Sequence, residues 1–98
     1  MNIKHLENRK RFETTIDGYT AHTQYNLEDG YIDIRHTIVP KEIGGRGIAS
    51  KLVQETYEWG ENQGFKLKAT CSYALIWCKR HKKEVAISDE YVNGGCAL

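Results

Sequence analysis

The sequence predicts an α/β (α+β) fold, in which a mixed sheet of antiparallel strands is followed by a β-α-β crossover and a second helix. Three observations carry this expectation. Apolar residues alternate with polar ones up to residue 40, the period turns helical after it, and a glycine cluster stands at the change.

Phe12, Thr14 and Ile16 alternate with polar neighbours, Asp17-Gly18 is a tight-turn signal, and Tyr19, Ala21, Thr23, Tyr25 and Leu27 resume the alternation, which predicts a hairpin. Glu28-Asp29-Gly30 supplies the next turn. Ile32, Ile34, His36 and Ile38 then line one face of a third strand, closed by Pro40. An earlier strand around Ile3 to Leu6 is weakly signalled, because the following residues to Arg11 are mostly charged or polar. Beyond Pro40, Ile48, Ala49, Leu52, Val53, Thr56, Tyr57 and Gly60 form a stripe at helical spacing, stopped by Gln63-Gly64. Phe65 to Thr70 alternates again. Strand, glycine loop, helix and strand make a βαβ crossover, so the strands on either side of the helix should run parallel. Ser72 is placed to cap a second helix with Tyr73, Ile76, Trp77 and Arg80 on one face. From Lys83 to Leu98 only Val85 and Ile87 suggest any order.

Ninety-eight residues allow one small domain, taken as 1–98, and 40% hydrophobic against 28% charged residues with a single Pro is the balance of a chain that folds alone. Fourteen Lys and Arg against thirteen Asp and Glu leave a net charge of +1, too little for a general attraction to nucleic acid or to anionic lipid. The N-terminus has no apolar core behind its charges, and no run of residues is long enough to span a bilayer, so neither export nor a membrane is expected. Cys71, Cys78 and Cys96 cannot all pair and form no C-x-x-C, which predicts reduced thiols in a cytoplasmic protein. Cys96 stands third from the end, one place away from a prenylation box.

Gly44, Gly45 and Gly47 put three glycines into four positions between a strand and a helix N-terminus. There the backbone can turn its N–H groups towards one point, and the helix dipole favours negative charge. Arg46 adds a cation suited to phosphate. A tight strand-to-helix turn with no ligand is the plain alternative. A P-loop is excluded, because Ile48 and Ala49 follow Gly47 where Lys and a hydroxyl are needed. Gly45-Arg46-Gly47 begins a dinucleotide fingerprint, but Ser50 stands at its last small position and an antiparallel hairpin precedes it.

Gly44-Gly45-Arg46-Gly47-Ile48-Ala49 resembles the [QR]-x-x-G-x-[GA] loop of the GCN5-related N-acetyltransferases. Arg11-Phe12, Asp17-Gly18, Tyr25, His36-Thr37-Ile38-Val39-Pro40, Cys71 and Lys79-Arg80-His81 extend the likeness to the small, single-domain branch of that superfamily, over residues 5–82. One departure is Gly44, which stands where Gln or Arg is usual. The resemblance implies a compact fold of that type, binding of acetyl-CoA without a metal, and acetyl transfer to an amine acceptor, a small molecule or a protein. It places the pyrophosphate on Gly44, Gly45, Arg46, Gly47, Ile48 and Ala49. The pantetheine arm would lie against Ile38 and Val39, where two parallel strands splay. The helical pair that commonly follows the first strand is missing here, since Asp17-Gly18 leaves no space for it.

Within that implied site, Cys71 ends a strand just before a helix, where the dipole favours thiolate, so it is a candidate nucleophile or acid beside the thioester. The plain alternative is a small buried hydrophobe. His36 is a candidate base for the amine, although alternation points it into the core as a structural histidine unless a bulge near Thr37 turns it. Tyr73 is a candidate acid towards the leaving thiolate, or a packing residue. Arg80 is a candidate for a CoA phosphate, or one of several solvated cations at a helix C-terminus. A non-catalytic acyl-CoA-binding or interaction module is the rival from another class. A nucleic-acid-binding domain using the basic clusters at 9–11 and 79–83 is a weaker one, lacking interleaved aromatics.

Overall fold

A computed structural model of the chain describes residues 1–87; Cys96, and with it the expectations placed on the C-terminal end, lies outside them. Among these residues six strands form one sheet in sequence order: β1 (Lys4–Leu6), β2 (Arg11–Ile16), β3 (Tyr19–Glu28), β4 (Tyr31–Ile38), β5 (Lys66–Ala69) and β6 (Ala86–Ile87). The α-helices among the described residues are α1 (Ile48–Asn62) and α2 (Ser72–Arg80). The strands β1 to β4 are antiparallel, whereas β4, β5 and β6 are parallel, as the crossover requires.

Both predicted hairpins close on two left-handed residues. Asp17 and Gly18 have φ of 53° and 81°, and Asp29 and Gly30 have 54° and 80°, the geometry that matches strand twist. The weakly signalled first strand exists. His5 lies flat on Phe12 with ring centroids 4.0 Å apart, meets Trp59 of α1 edge-on at 4.5 Å, and pairs its Nε2 with the Tyr25 hydroxyl at 2.6 Å. That aromatic cluster holds a three-residue edge strand that propensity alone would not stabilise. Strand β6, which the sequence did not announce, pairs Lys68 and Ala69 with Ala86 and Ile87.

Helix α1 buries Ile48, Leu52, Val53, Thr56, Tyr57 and Gly60, matching the predicted stripe apart from Ala49, which is only partly covered. Thr56 has its hydroxyl 2.7 Å from that of Thr23 and donates it to the Leu52 carbonyl, so its polar atom is satisfied within the core. A Cβ on Gly60 would stand 2.5 Å from Ile32 Cγ2, and the missing side chain lets helix and sheet approach. Helix α2 lies beside α1. Trp77 Nε1 donates to Ser50 Oγ at 3.2 Å, and the Trp77 and Tyr57 rings are 6.0 Å apart.

Two local expectations are corrected. Cys71, not Ser72, caps α2, because its sulfur accepts from the Ala74 amide at 3.4 Å. The buried face of α2 is Ala74, Leu75, Trp77 and Cys78, while Ile76 is 46% exposed. The third correction concerns β4. Tyr25 faces Ile34 but Gln24 faces His36, so Arg35 is an extra residue in the ladder. Alternation reverses across this bulge. Ile32 and Ile34 point towards α1, whereas His36 and Ile38 point away from it and Thr37 is buried. His36 is therefore exposed, not a core histidine.

Candidate functional site

The site grows from the point where β4 and β5 part. Their ladder runs from Tyr31 and Lys66 to Ile34 and Ala69, and there the Ile34 carbonyl receives both the Thr70 and the Cys71 amides, at 3.1 and 3.0 Å. Asp33 secures the fork. Its buried carboxylate accepts from the Thr70 amide at 2.9 Å and from the Thr70 hydroxyl at 2.8 and 3.0 Å, with Arg35 Nη1 at 3.7 Å. Beyond the fork the chain of β5 turns into α2, and among the described residues no strand pairs with Thr37, Ile38 and Val39 on that side. A strand edge of this kind can pair with an extended amide chain.

After Val39, Pro40 opens a single 3-10 turn over Lys41–Ile43, and the glycine loop follows. Gly45 and Gly47 have φ of 76° and 75°, which is why glycine is needed at both; nothing crowds either position. Among the described residues, the amides from Gly45 to Ser50 donate to no backbone carbonyl. Three of them are the orphan donors of the α1 N-terminus, and the loop supplies the others. A cavity of about 180 Å³ is lined by Val39, Ile43, Gly44, Gly45, Gly47, Ile48, Ala49, Ser50 and Tyr73. Its donor set suits an anion, and its remaining wall is apolar.

Most of the residues singled out in the sequence thus meet in one place: Val39, the loop from Gly44 to Ala49, and Tyr73. Ile38 precedes them on the edge that no described strand covers. Arg46 is the exception within the loop, since its Nη1 reaches the Asp17 carboxylate at 2.9 Å, across to the β2–β3 turn, and it does not line the cavity. Arg80 is exposed at the far end of α2 and does not line the cavity either. His36 lies on the sheet face away from α1.

Cys71 stands at the fork, fully buried, with its sulfur 3.4 Å from the Thr37 hydroxyl. It is disulfide-bonded, so the expectation of reduced thiols throughout is corrected at this position, and only reduced protein offers a thiol here. Cys78 is free and buried, and burial pushes its thiol up to about 11, which makes it inert. Sequence reasoning missed Asp33 and Thr70, although a lone carboxylate between two strand isoleucines is a signal for a specific partner. It also missed Ser50, whose hydroxyl docks α2, and Asp17 as the partner of Arg46. Among the described residues no three His, Cys, Asp or Glu are grouped to hold a metal, and no helix is long and apolar enough to cross a membrane.

A strand splayed from its parallel neighbour, followed by a loop of unpaired amides at a helix N-terminus, makes a pocket whose chemistry suits an extended ligand with an anionic end. The sequence matches the GCN5-related N-acetyl-transferase family over residues 11–87, most of its length, and the chain belongs to that family. It is also similar to the protein NATD1 of Xenopus tropicalis, with 27% identity over 86 residues, covering 83% of this chain and 77% of that one.

Proposed function

We propose that the chain binds acetyl-CoA in this cavity and transfers the acetyl group to an amine. The observation that carries the reading is the run of unpaired amides from Gly45 to Ser50, all but that of Arg46 on residues lining the same cavity as Tyr73, directly after the β4 edge that no described strand covers. The diphosphate would sit on Gly44, Gly45, Gly47, Ile48 and Ala49, with backbone donors in place of the side chain that Gly44 lacks. Arg46 reaches the phosphates once it leaves Asp17. Ile38 and Val39 pair with the pantetheine amides, and a backbone N–H of this edge polarises the thioester carbonyl as the tetrahedral intermediate forms.

The reaction in this reading is direct attack. A neutral amine forms the C–N bond, the C–S bond breaks, and the thiolate takes a proton for which Tyr73, which lines the cavity, is the candidate donor. His36 is a candidate for the amine proton, on the side away from α1. Cys71 enters the chemistry only as a thiol, in protein from a reducing compartment; its constant role is to cap α2. Arg80 belongs to a CoA phosphate arm that extends past α2.

Calorimetry with CoA, acetyl-CoA and ATP at fixed salt, repeated on Gly47→Asp, tests the seat. Binding of both CoA compounds and its loss in the variant is the expected result. Equal affinity in wild type and variant would remove the loop from the site. Stoichiometric CoA binding with no acetyl release on any amine would instead make the chain a non-catalytic acyl-CoA-binding module.

A further inference from the structure

The sheet face turned away from α1 carries a second set of titratable groups that the cofactor seat does not use. Register places them in two cross-strand rows. Glu13 on β2 stands opposite His22 on β3, which stands opposite Ile38 on β4; beside it run Arg11, Gln24 and His36. All six side chains share this face, because Thr23 between His22 and Gln24 bonds to Thr56 of α1 and neighbours in a strand alternate. His36 and Ile38 join it only because Arg35 is a bulge. Directly opposed side chains are about 5 Å apart at Cβ, so the His22 imidazole stands beside Ile38, with His36 on the neighbouring row.

We propose that the amine acceptor approaches the thioester from this face and that His22 is the group that takes its proton, with Glu13 behind it. The assignment rests on the acetyl-CoA reading, since it is the pantetheine edge at Ile38 that brings the thioester beside His22. An alkylammonium gives one proton to neutral His22; the resulting amine adds to the thioester carbonyl, the C–S bond breaks, and the second nitrogen proton ends on the CoA sulfur. The N-alkylacetamide and CoA–SH leave, and His22 returns its proton to water.

Two features suit His22 to the task better than His36. It is partly buried, whereas His36 is exposed, and it has a carboxylate directly across the ladder to stabilise the imidazolium. Burial, helped by Arg11 and His36, lowers its pKa below 6.5 against the opposing pull of Glu13, so that it is neutral and ready at physiological pH. These are the charged and titratable groups that act on it, from β2 and from β4. The acceptor class that fits is a primary alkylamine whose cation is drawn by Glu13 and whose carbon chain lies on Ile38.

The test uses the full chain with n-butylamine as the probe acceptor. In wild type with CoA bound, butylamine shifts the imidazole NMR signals of His22 and His36, and kcat/KM with acetyl-CoA rises with pH through an inflection below 6.5. His22→Gln lowers kcat/KM by about 100-fold and removes that inflection, while CoA affinity stays unchanged. A merely structural histidine would not carry the inflection with it. A His22→Gln enzyme with the wild-type pH profile overturns the proposal. So does a CoA-bound wild type that neither transfers to butylamine nor shifts these signals. Failure to bind CoA at all is a different result and overturns the seat.

Discussion

Thr70 is tied to Asp33 through both its amide and its hydroxyl, at 2.8 to 3.0 Å, at the residue where two parallel strands separate. The pair ties β4 to the end of β5 where the two part. An unpaired carboxylate buried here would be costly, and Thr70 supplies donors to both of its oxygens. Asp33→Asn replaces one acceptor oxygen with a donor facing the Thr70 hydroxyl. It should cost about 1 to 3 kcal/mol in a urea melt and weaken CoA binding in calorimetry. Unchanged affinity would separate the fork from the site.

Gly60 makes the closest approach of helix to sheet. In an ordinary helix, Gly→Ala gains up to about 1 kcal/mol. Here the added carbon meets Ile32 Cγ2 at 2.5 Å inside a packed core, and overpacking costs about 1 to 3 kcal/mol. The clash wins, so Gly60→Ala should lower the thermal midpoint, which differential scanning calorimetry would read.

The ion pair of Arg46 with Asp17 joins two side chains that are 48% and 64% exposed. Such a pair contributes at most about 1 kcal/mol. Asp17→Asn should leave stability nearly unchanged, release Arg46, and tighten CoA binding by about twofold to fivefold, in keeping with one added charge-assisted contact at the surface. Calorimetry at low and high salt reads this, and the gain should shrink with salt.

His5 and His22 are both held below 6.5 by burial, the latter also by Arg11. Each binds a proton more readily in the unfolded chain. The stability they contribute is therefore present above the unfolded value, near 6.5, and is lost as pH falls below it through the lower folded values. Urea midpoints should decline from neutral to mildly acidic buffer. His5→Phe keeps a ring on Phe12 but cannot titrate, and should flatten part of that decline.

Much of the fold was legible because its signals are local. Asp17-Gly18 and Asp29-Gly30 announce their turns, the stripe from Ile48 to Gly60 announces α1, and the three glycines announce the loop, since φ preference and periodicity act within a few residues. The direction of His36 was not legible. It depends on the bulge at Arg35, which arises from pairing β4 with β3 and leaves no trace in the period of β4 itself. The partner of Arg46 was hidden for the same reason, as Asp17 lies 29 residues away.

The chain by itself determined which backbone could form a loop of free amides and which strands could flank it, because glycine, turn pairs and apolar spacing restrict the chain wherever it goes. Only the tertiary structure decided which side of the sheet each histidine faces, that Asp33 and Thr70 fasten the fork, and that Arg46 is turned away from the loop it belongs to. Those outcomes depend on register and on contacts between distant segments, where a shift of one residue exchanges one face for the other.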